Sequence, residues 1–453
     1  MNILIPDVEK RLQDRYQQLV EEHAGHASTG ATGPRLLPDE SSTKAAAMAA
    51  WRFFHNPRVK LTRLAQPLLE AAQEAAAQHC QQFALVPLDW SKLDYSNHDS
   101  KTDRLQLGHK EEQGYKLLSA LLLSDQDGQP LAPVCQQLLT ADGLLSSRFD
   151  RRRRPLSTLD ELAPVMDFVA DLPLGKRSVF IIDAEADSIY HYRQWQRRGF
   201  LFLVRADPER YVRLDHAQGE EVRLPAVAQR LQEQQAFQCV RSVDYNGRQV
   251  NQYVAEQAVV LDRPAHLNRP GDGPPARPTI PGVALALRLV VTELRDDQGQ
   301  VLERWYLLTN VPAEVSAATI ALWYYWRWKV ETYFKLLKSS GQQVEHWQQE
   351  DGCALLKRLL VASMACVLAW RLAFSQAPQA AEARRVVMQL SGRQLEYGRE
   401  YTLEGLLAGT WVLLAMSDLL EQLPASRIRG LAAFVLAGSS TPASTGPPQR
   451  QAA

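Results

Sequence analysis

The stretch from residue 83 to residue 206 most constrains the fold, because apolar segments, polar turns and helical segments alternate along it. Three apolar runs joined by turns such as SDQDGQP predict an antiparallel meander. A helical segment capped by Ser157 follows, and then a strand, a short helix and a last strand. The predicted strands are Phe83 to Asp89, Gly114 to Leu123, Pro130 to Leu138, Ser178 to Asp183 and Phe200 to Ala206.

Three strands, helix, strand, helix and strand is the order of an RNase-H-like fold, so the sequence predicts an α/β protein with an RNase-H-like catalytic core. Alternating segments and a Pro-rich loop then predict a mostly β insertion over residues 207–305, which interrupts the core. The core is predicted to cover residues 76–206 and 306–375. Helical regions are predicted at both ends, over 1–75 and over 376–453, the latter with a disordered tail.

Composition indicates a globular protein rather than a nucleic-acid coat. The 453 residues include 45% hydrophobic ones, and 51 basic residues balance 51 acidic ones. A formal net charge of zero allows local basic patches but argues against nonspecific coating of nucleic acid. The longest apolar run, Leu359 to Trp370, is flanked by arginines, which predicts a buried helix in a cytoplasmic protein without a membrane span.

The cysteines indicate neither a disulfide framework nor a zinc module, because they are odd in number and lack C-x-x-C spacing. We interpret them as reduced core residues. They are Cys80, Cys135, Cys239, Cys353 and Cys366.

The segment LWYYWRWKVETYFKLLK carries the most chemistry. On a helix, Tyr324, Arg327, Glu331 and Lys338 share one side, while apolar residues cluster on the other. A carboxylate beside cationic groups and a phenol suits a metal ion next to a polyanion. The alternative interpretation is ordinary charge pairing on a solvated helix face.

Two further acids end predicted strands. Asp89 ends the first strand and Asp183 the fourth. These strands are neighbours in an RNase-H-like sheet, so the two carboxylates are expected side by side, with Glu331 reaching them from its helix. Asp residues after strands are also common turn formers. The nearby acids that compete as ligands are Asp94, Glu185 and Asp187.

The four polar helix residues have the spacing Y-x2-R-x3-E-x6-K, which resembles the signature of the IS-four family of DDE transposases. PLDWSKLDYS, around Asp89, resembles the first-Asp segment of that family. IIDAEADSIY resembles the second-Asp segment of the family, whose pattern is D-R-E-A-D. Asp183 corresponds to the first letter of that pattern. Ala184 stands where that pattern has Arg, which removes a basic group at this point.

The resemblance implies a cut-and-paste DNA transposase of an insertion sequence. Asp89, Asp183 and Glu331 would be catalytic and would bind two Mg²⁺ ions, with Mn²⁺ as the alternative. Nicking at the element ends, hairpin formation and opening, and strand transfer to target DNA would follow. The implied DNA-binding residues are Tyr324, Arg327, Lys338 and the base-stacking Trp305.

The implied partner is double-stranded DNA, both terminal repeats and target, bound by a homodimer in a synaptic complex. AAWRFFHNPRV, near the end of region 1–75, resembles the end of the DNA-binding domain of the family, although a helical packing module is the alternative. Arg148 and Arg151 to Arg154 are predicted to form a basic loop that either tracks a DNA backbone or is simply solvated.

Two other functions remain open from the sequence. One is a noncatalytic relative that binds element ends and acts as an inhibitor. The other is a metal-dependent DNA endonuclease, which would share the three acids but give no role to Tyr324 or Trp305.

Overall fold

A computed structural model of the chain describes residues 4–25, 40–155, 157–214, 219–266, 279–338, 341–395 and 398–437. The predicted disordered tail lies outside these ranges. Within them the protein is a mixed α/β fold with one large mixed sheet and a helical C-terminal region.

The helices lie at both ends of the chain and between strands. They are α1 Lys10–Gly25, α2 Glu40–His55, α3 Leu61–His79, α4 Leu162–Ala170, α5 Ile189–Arg197, α6 Leu224–Glu233, α7 Ala317–Trp326, α8 Trp328–Leu337, α9 Gly352–Phe374, α10 Ala380–Leu390, α11 Leu403–Gln422 and α12 Ala425–Ala437.

The strands concentrate in the middle of the chain. They are β1 Phe83–Asp94, β2 Leu105–Gln106, β3 Gln113–Ser124, β4 Pro130–Thr140, β5 Gly143–Ser146, β6 Phe149–Arg153, β7 Arg177–Ile182, β8 Leu201–Arg205, β9 Tyr211–Leu214, β10 Glu221–Arg223, β11 Gln238–Tyr245, β12 Arg248–Leu261, β13 Ala265–His266, β14 Thr279–Ile280, β15 Leu285–Arg295 and β16 Val301–Thr309.

The predicted meander and crossover strands exist and are neighbours. β1, β3 and β4 pair antiparallel in sequence order. β7 pairs parallel with β1, and β8 pairs parallel with β7. The connections from β4 to β7 and from β7 to β8 contain α4 and α5 respectively. Strand β1 therefore lies at the centre of a mixed sheet, with β7 on one side and β3 on the other.

Helices cover both faces of this part of the sheet. Successive residues of a strand point to opposite faces. Gln136 of β4 donates hydrogen bonds to Tyr333 of α8 and Ser363 of α9. The neighbouring Gln137 accepts one from Arg148, which also binds a carbonyl of α4. Consequently α8 and α9 cover one face while α4 covers the other.

The strands of the predicted β insertion continue the same sheet. The order β10-β9-β12-β15-β16-β8-β7-β1-β3-β4-β5-β6 runs through both parts, and β16 joins them by pairing antiparallel with β8. The predicted boundary between residues 305 and 306 falls inside β16. Alternation along the chain indicates strands, but it does not indicate which strands pair.

The predicted helix from Leu322 to Lys338 is divided at Arg327. Its first part belongs to α7 and its second to α8. Arg327 has helical backbone angles, and its amide donates to the Tyr324 carbonyl three residues back at 3.0 Å. The tightened turn keeps the chain nearly helical through the break.

Among the described residues, two helices, α9 and α11, are long and apolar enough to cross a membrane, although length and composition alone are weak indications. Of the most apolar stretch of α9, 89% is buried inside the protein. This burial confirms the prediction of a core helix around the run Leu359 to Trp370.

Two sequence predictions are wrong in detail. Cys239 is exposed on β11, a strand that pairs with β12, whereas Cys80, Cys135 and Cys366 are buried as predicted and Cys353 is partly buried. The predicted basic loop is largely the strand β6, because residues 149–153 turn back and pair with β5.

Candidate active site

Three acids that are distant in sequence meet at one edge of the sheet. In the parallel pair of β1 and β7, Leu88 lies opposite Ile182, so the next residue along each strand, Asp89 and Asp183, emerges at the same level. Glu331 comes from the first turn of α8, which packs against β1. The predicted convergence of Asp89, Asp183 and Glu331 is therefore present.

A single guanidinium joins the three carboxylates. Arg327 Nη1 lies 3.1 Å from Asp89 Oδ2, and Nη2 lies 3.3 Å from Asp183 Oδ2 and 2.7 Å from Glu331 Oε1. The Arg327 side chain is only 3% exposed. The alternative of charge pairing on a solvated helix face therefore does not apply here. Arg327 is buried against Asp89 and Asp183, which come from the strands, and Glu331, which comes from α8.

The charges around Arg327 keep its guanidinium protonated. Burial acts to lower the pKa of Arg327, but Tyr324, Asp183, Asp89 and Glu331 together raise it above its ordinary value. Removing the arginine would leave three carboxylates facing one another without a cation. The group therefore needs a positive charge at its centre.

Asp89 is the acid whose titration the site changes most clearly. Burial raises the pKa of its carboxyl to about 6, although Arg327 and the Trp90 amide oppose the rise. That amide donates to Asp89 Oδ1 at 2.8 Å. Asp183 has a similar cap, since the Ala184 amide donates to its Oδ1 at 2.6 Å.

The raised pKa of Asp89 predicts a pH-dependent contribution to stability. Between about pH 4 and pH 6 the unfolded chain ionises Asp89 while the folded chain keeps it protonated, so the folded state loses about 2 to 3 kcal/mol of stability across this range and no more above it. Asp89→Asn should therefore gain stability relative to the wild type between pH 4 and pH 7. Urea unfolding in EDTA at several pH values measures this; a constant difference between the two proteins would contradict it.

Tyr324 lies against Asp183 rather than in solvent. Its hydroxyl donates to Asp183 Oδ1 at 3.3 Å, and the side chain is 1% exposed. Burial is the main cause that raises the pKa of this phenol, so it is a hydrogen-bond donor at neutral pH. For Tyr324 or Arg327 to contact DNA, as predicted, its side chain would have to leave the carboxylates.

Trp305 is buried next to Tyr324. Its ring packs edge-on against the Tyr324 ring, with centroids 5.4 Å apart, and it is 4% exposed. A DNA base could stack on it only after this contact opens. Of the three tryptophans in the segment around Arg327, Trp323 and Trp326 are buried and Trp328 is 47% exposed.

Lys338 lies outside the cluster of acids. Its ammonium donates to the carbonyl of Lys92 on β1 and lies 3.6 Å from Glu345 Oε1. The side chain is 24% exposed, and Lys92 is three residues beyond Asp89 on the same strand. Lys338 therefore flanks the site at a place where an approaching anion can reach it.

The competing acids have other partners. The Asp187 side chain is 3% exposed and binds Arg210, Tyr192 and the amide of Asp207. Asp94 accepts hydrogen bonds from Ser96, which are the main cause that lowers its pKa, and Glu185 is exposed. None of these contacts joins the group around Arg327.

Arg205 is a member of the site that sequence reasoning missed. Its Nε lies 2.9 Å from Asp183 Oδ1, opposite the contact that Arg327 makes with the same carboxylate. Arg205 ends β8, the strand parallel to β7. Parallel strands end at the same edge of a sheet, so a charged residue at the end of β8 is expected near Asp183. This position in the sequence could have identified Arg205 as part of the site.

The donor atoms fit a hard divalent cation, since three carboxylates supply only oxygen ligands, which Mg²⁺ and Mn²⁺ accept. In the part of the chain that the structure describes, no three acidic, His or Cys side chains are arranged to hold a metal ion as they stand. The Arg327 guanidinium instead takes the central position between Asp89, Asp183 and Glu331.

Compared with models of known protein families the chain matches none, and a comparison with curated proteins gives no match either.

Proposed function

We propose that this protein is a DNA transposase of the DDE type that moves an insertion sequence by cutting and pasting. The observation that carries the proposal is the convergence of Asp89, Asp183 and Glu331, which are 94 and 148 residues apart in the chain, on the guanidinium of Arg327. Phosphoryl transfer assisted by two metal ions needs several carboxylates at one point.

The strand arrangement supports an RNase-H-like core for this proposal. Three antiparallel strands, β1, β3 and β4, precede two strands, β7 and β8, that run parallel to β1, with a helix before each of the two. This is the order that the resemblance implies. The core would deliver Asp89 and Asp183 from the strands and Glu331 from the helix.

Asp89, Asp183 and Glu331 would hold two divalent ions such as Mg²⁺, which would activate a water or a DNA 3′-hydroxyl and stabilise the leaving oxygen. Binding requires all three carboxylates to be ionised. The pKa of about 6 for Asp89 is compatible with that at neutral pH.

The basic residues around the acids would bind and orient the DNA backbone. Arg327 and Arg205 hold the carboxylates in place while DNA is absent. When the phosphates arrive, their charge competes with the carboxylates for these guanidiniums, which form bidentate contacts with either group. Lys338, at the partly exposed margin, would contact a phosphate beside the scissile bond.

The partners in this proposal are the terminal repeats of the element and target DNA, bound by a homodimer that pairs two ends. The cellular location would be the cytoplasm. The N-terminal helices α1 to α3 would supply end recognition.

The experiment that tests this function uses purified protein, Mg²⁺ and labelled duplex carrying the ends of the element that encodes it. We expect nicked, hairpin and joined products on a denaturing gel. Binding without any cleavage would contradict the proposal and indicate a noncatalytic end-binding relative.

A metal-dependent DNA endonuclease is the second candidate. The burial of Trp305 favours it, because a nuclease that only hydrolyses one strand needs no base to leave the stack. Nicks without hairpins or joined products in the same assay would select this candidate.

A further inference from the structure

The arginine-rich segment after β5 divides into anchored and unpaired side chains. The Arg148 side chain is 8% exposed and binds Glu161 at 3.4 Å. Arg152 binds Asp103 at 3.1 Å and Asp142 at 2.5 Å. Two of the five arginines are therefore structural.

The other three arginines of the segment are exposed. Within the described ranges, Arg151, Arg153 and Arg154 make no ion pair, and Arg153 only lies over the Phe149 ring, 5.2 Å from its centroid. Three uncompensated charges in four residues form a local positive patch on a chain of zero net charge.

Strand β6 places this patch level with Lys92, three residues along β1 from Asp89. One row of paired residues crosses the sheet from Lys92 to Lys116, then to Leu139, Leu144 and finally Arg153. The row takes four strand steps, which at about 4.8 Å each is about 19 Å. It starts at Lys92, whose carbonyl binds Lys338.

The first turn of α3 extends the patch. Asp150 of β6 accepts hydrogen bonds from the Thr62 amide at 3.2 Å and from its hydroxyl at 3.0 Å. These contacts hold the start of α3 beside β6, and the exposed Lys60 immediately precedes that helix. They also engage the Asp150 carboxylate, the one acid in β6.

We propose that Arg151, Arg153, Arg154 and Lys60 form a binding surface for the phosphate backbone of duplex DNA. The inference rests on the proposed function, which makes DNA the polyanion that binds near the acids and extends towards the edge strand β6. A separation of about 19 Å corresponds to about six base pairs at a rise of about 3.4 Å. The surface would therefore contact the duplex about half a helical turn from a phosphate bound by Lys338, which lies beside Lys92.

Such contacts have a measurable salt dependence. Each phosphate neutralised by Lys or Arg contributes about 0.9 to the slope of log K against log salt concentration. Replacing Arg151, Arg153 and Arg154 by Gln should therefore reduce the slope by about 2 to 3 and weaken binding near 0.1 M salt by about a hundredfold. The loss should be equal for any duplex sequence, because phosphate contacts do not identify bases.

The test is titration of the full chain with a fluorescein-labelled duplex of arbitrary sequence, without divalent metal, over a series of salt concentrations. The control variant, Arg385→Gln/Arg393→Gln/Arg429→Gln, removes three exposed arginines from the C-terminal region and should bind like the wild type. A variant with Lys at positions 151, 153 and 154 keeps the charges and should retain most of the slope. Circular dichroism confirms that each variant folds.

Equal slopes for the wild type and the Arg151→Gln/Arg153→Gln/Arg154→Gln variant would overturn this surface, even if the protein cleaves DNA. A reduced slope would support it even if no cleavage is found, in which case the transposase proposal fails separately. A wild type that binds no duplex at low salt would overturn both.

Discussion

Glu331→Gln is expected to lower the rate of DNA strand cleavage by about a thousandfold or more, equal to about 4 kcal/mol of transition-state stabilisation. Gln preserves the size of the side chain and its place in α8, but it removes one of three charges that would hold the metal ions. DNA binding and thermal stability should stay close to those of the wild type. The measurement is the rate of product formation on a denaturing gel under single-turnover conditions.

Lys335→Gln provides the control, because Lys335 lies exposed on the same helix and makes no ion pair among the described residues. That variant should cleave as the wild type does. If Glu331→Gln also cut DNA at the wild-type rate, Glu331 would not belong to the catalytic group.

Arg327→Ala is expected to destabilise the protein by about 2 to 4 kcal/mol, because it leaves three carboxylates facing one another without their buried cation. The side chains of Asp89, Asp183 and Glu331 are 23%, 28% and 37% exposed, so water screens their charges in part. We therefore expect a loss in the lower half of that range. Urea unfolding in EDTA measures the loss.

The same variant should gain more from divalent metal than the wild type does. With the guanidinium gone, Mg²⁺ can occupy the space between Asp89, Asp183 and Glu331, and binding to the folded state alone raises stability as concentration rises. Arg205→Ala is the matched control and should respond less, because it removes a contact with Asp183 and leaves the contacts of Arg327 with all three acids in place. Equal stability of Arg327→Ala and the wild type in EDTA would contradict the central role of this arginine.

The sequence was sufficient to predict the positions of the acids. Asp89 and Asp183 follow apolar strands that the pattern identifies, and the parallel pairing of β1 and β7 is as expected. Glu331 was identifiable because its helix separates polar and apolar sides.

The surroundings of Arg327 could not be predicted in this way. A helical projection indicates which residues share a side, but what packs against that side depends on tertiary contacts. Arg327 therefore looked like a solvent-facing cation, although it is buried among acids from two strands. The burial of Trp305 could not be predicted for the same reason. Alternation along β16 indicates which residues share a face of the strand, but not that α7 covers the face that carries Trp305.

The basic segment illustrates a different limit. FDRRR has almost no apolar alternation, so it gave no strand signal. It forms β6 because an edge strand needs one partner only, and exposed arginines on such an edge also discourage pairing with other chains. Sequence patterns detect half-buried strands better than charged edge strands.

We propose above all that Asp89, Asp183 and Glu331 share one divalent-metal site. Iron-mediated backbone cleavage tests it most directly: Fe²⁺ replaces Mg²⁺, ascorbate and peroxide generate hydroxyl radicals at the bound ion, and mass spectrometry locates the cuts. We predict cuts near residues 89, 183 and 331, all suppressed by excess Mg²⁺ and by Glu331→Gln. Cuts confined to other segments, or cuts near only one of the three acids, would contradict a shared site.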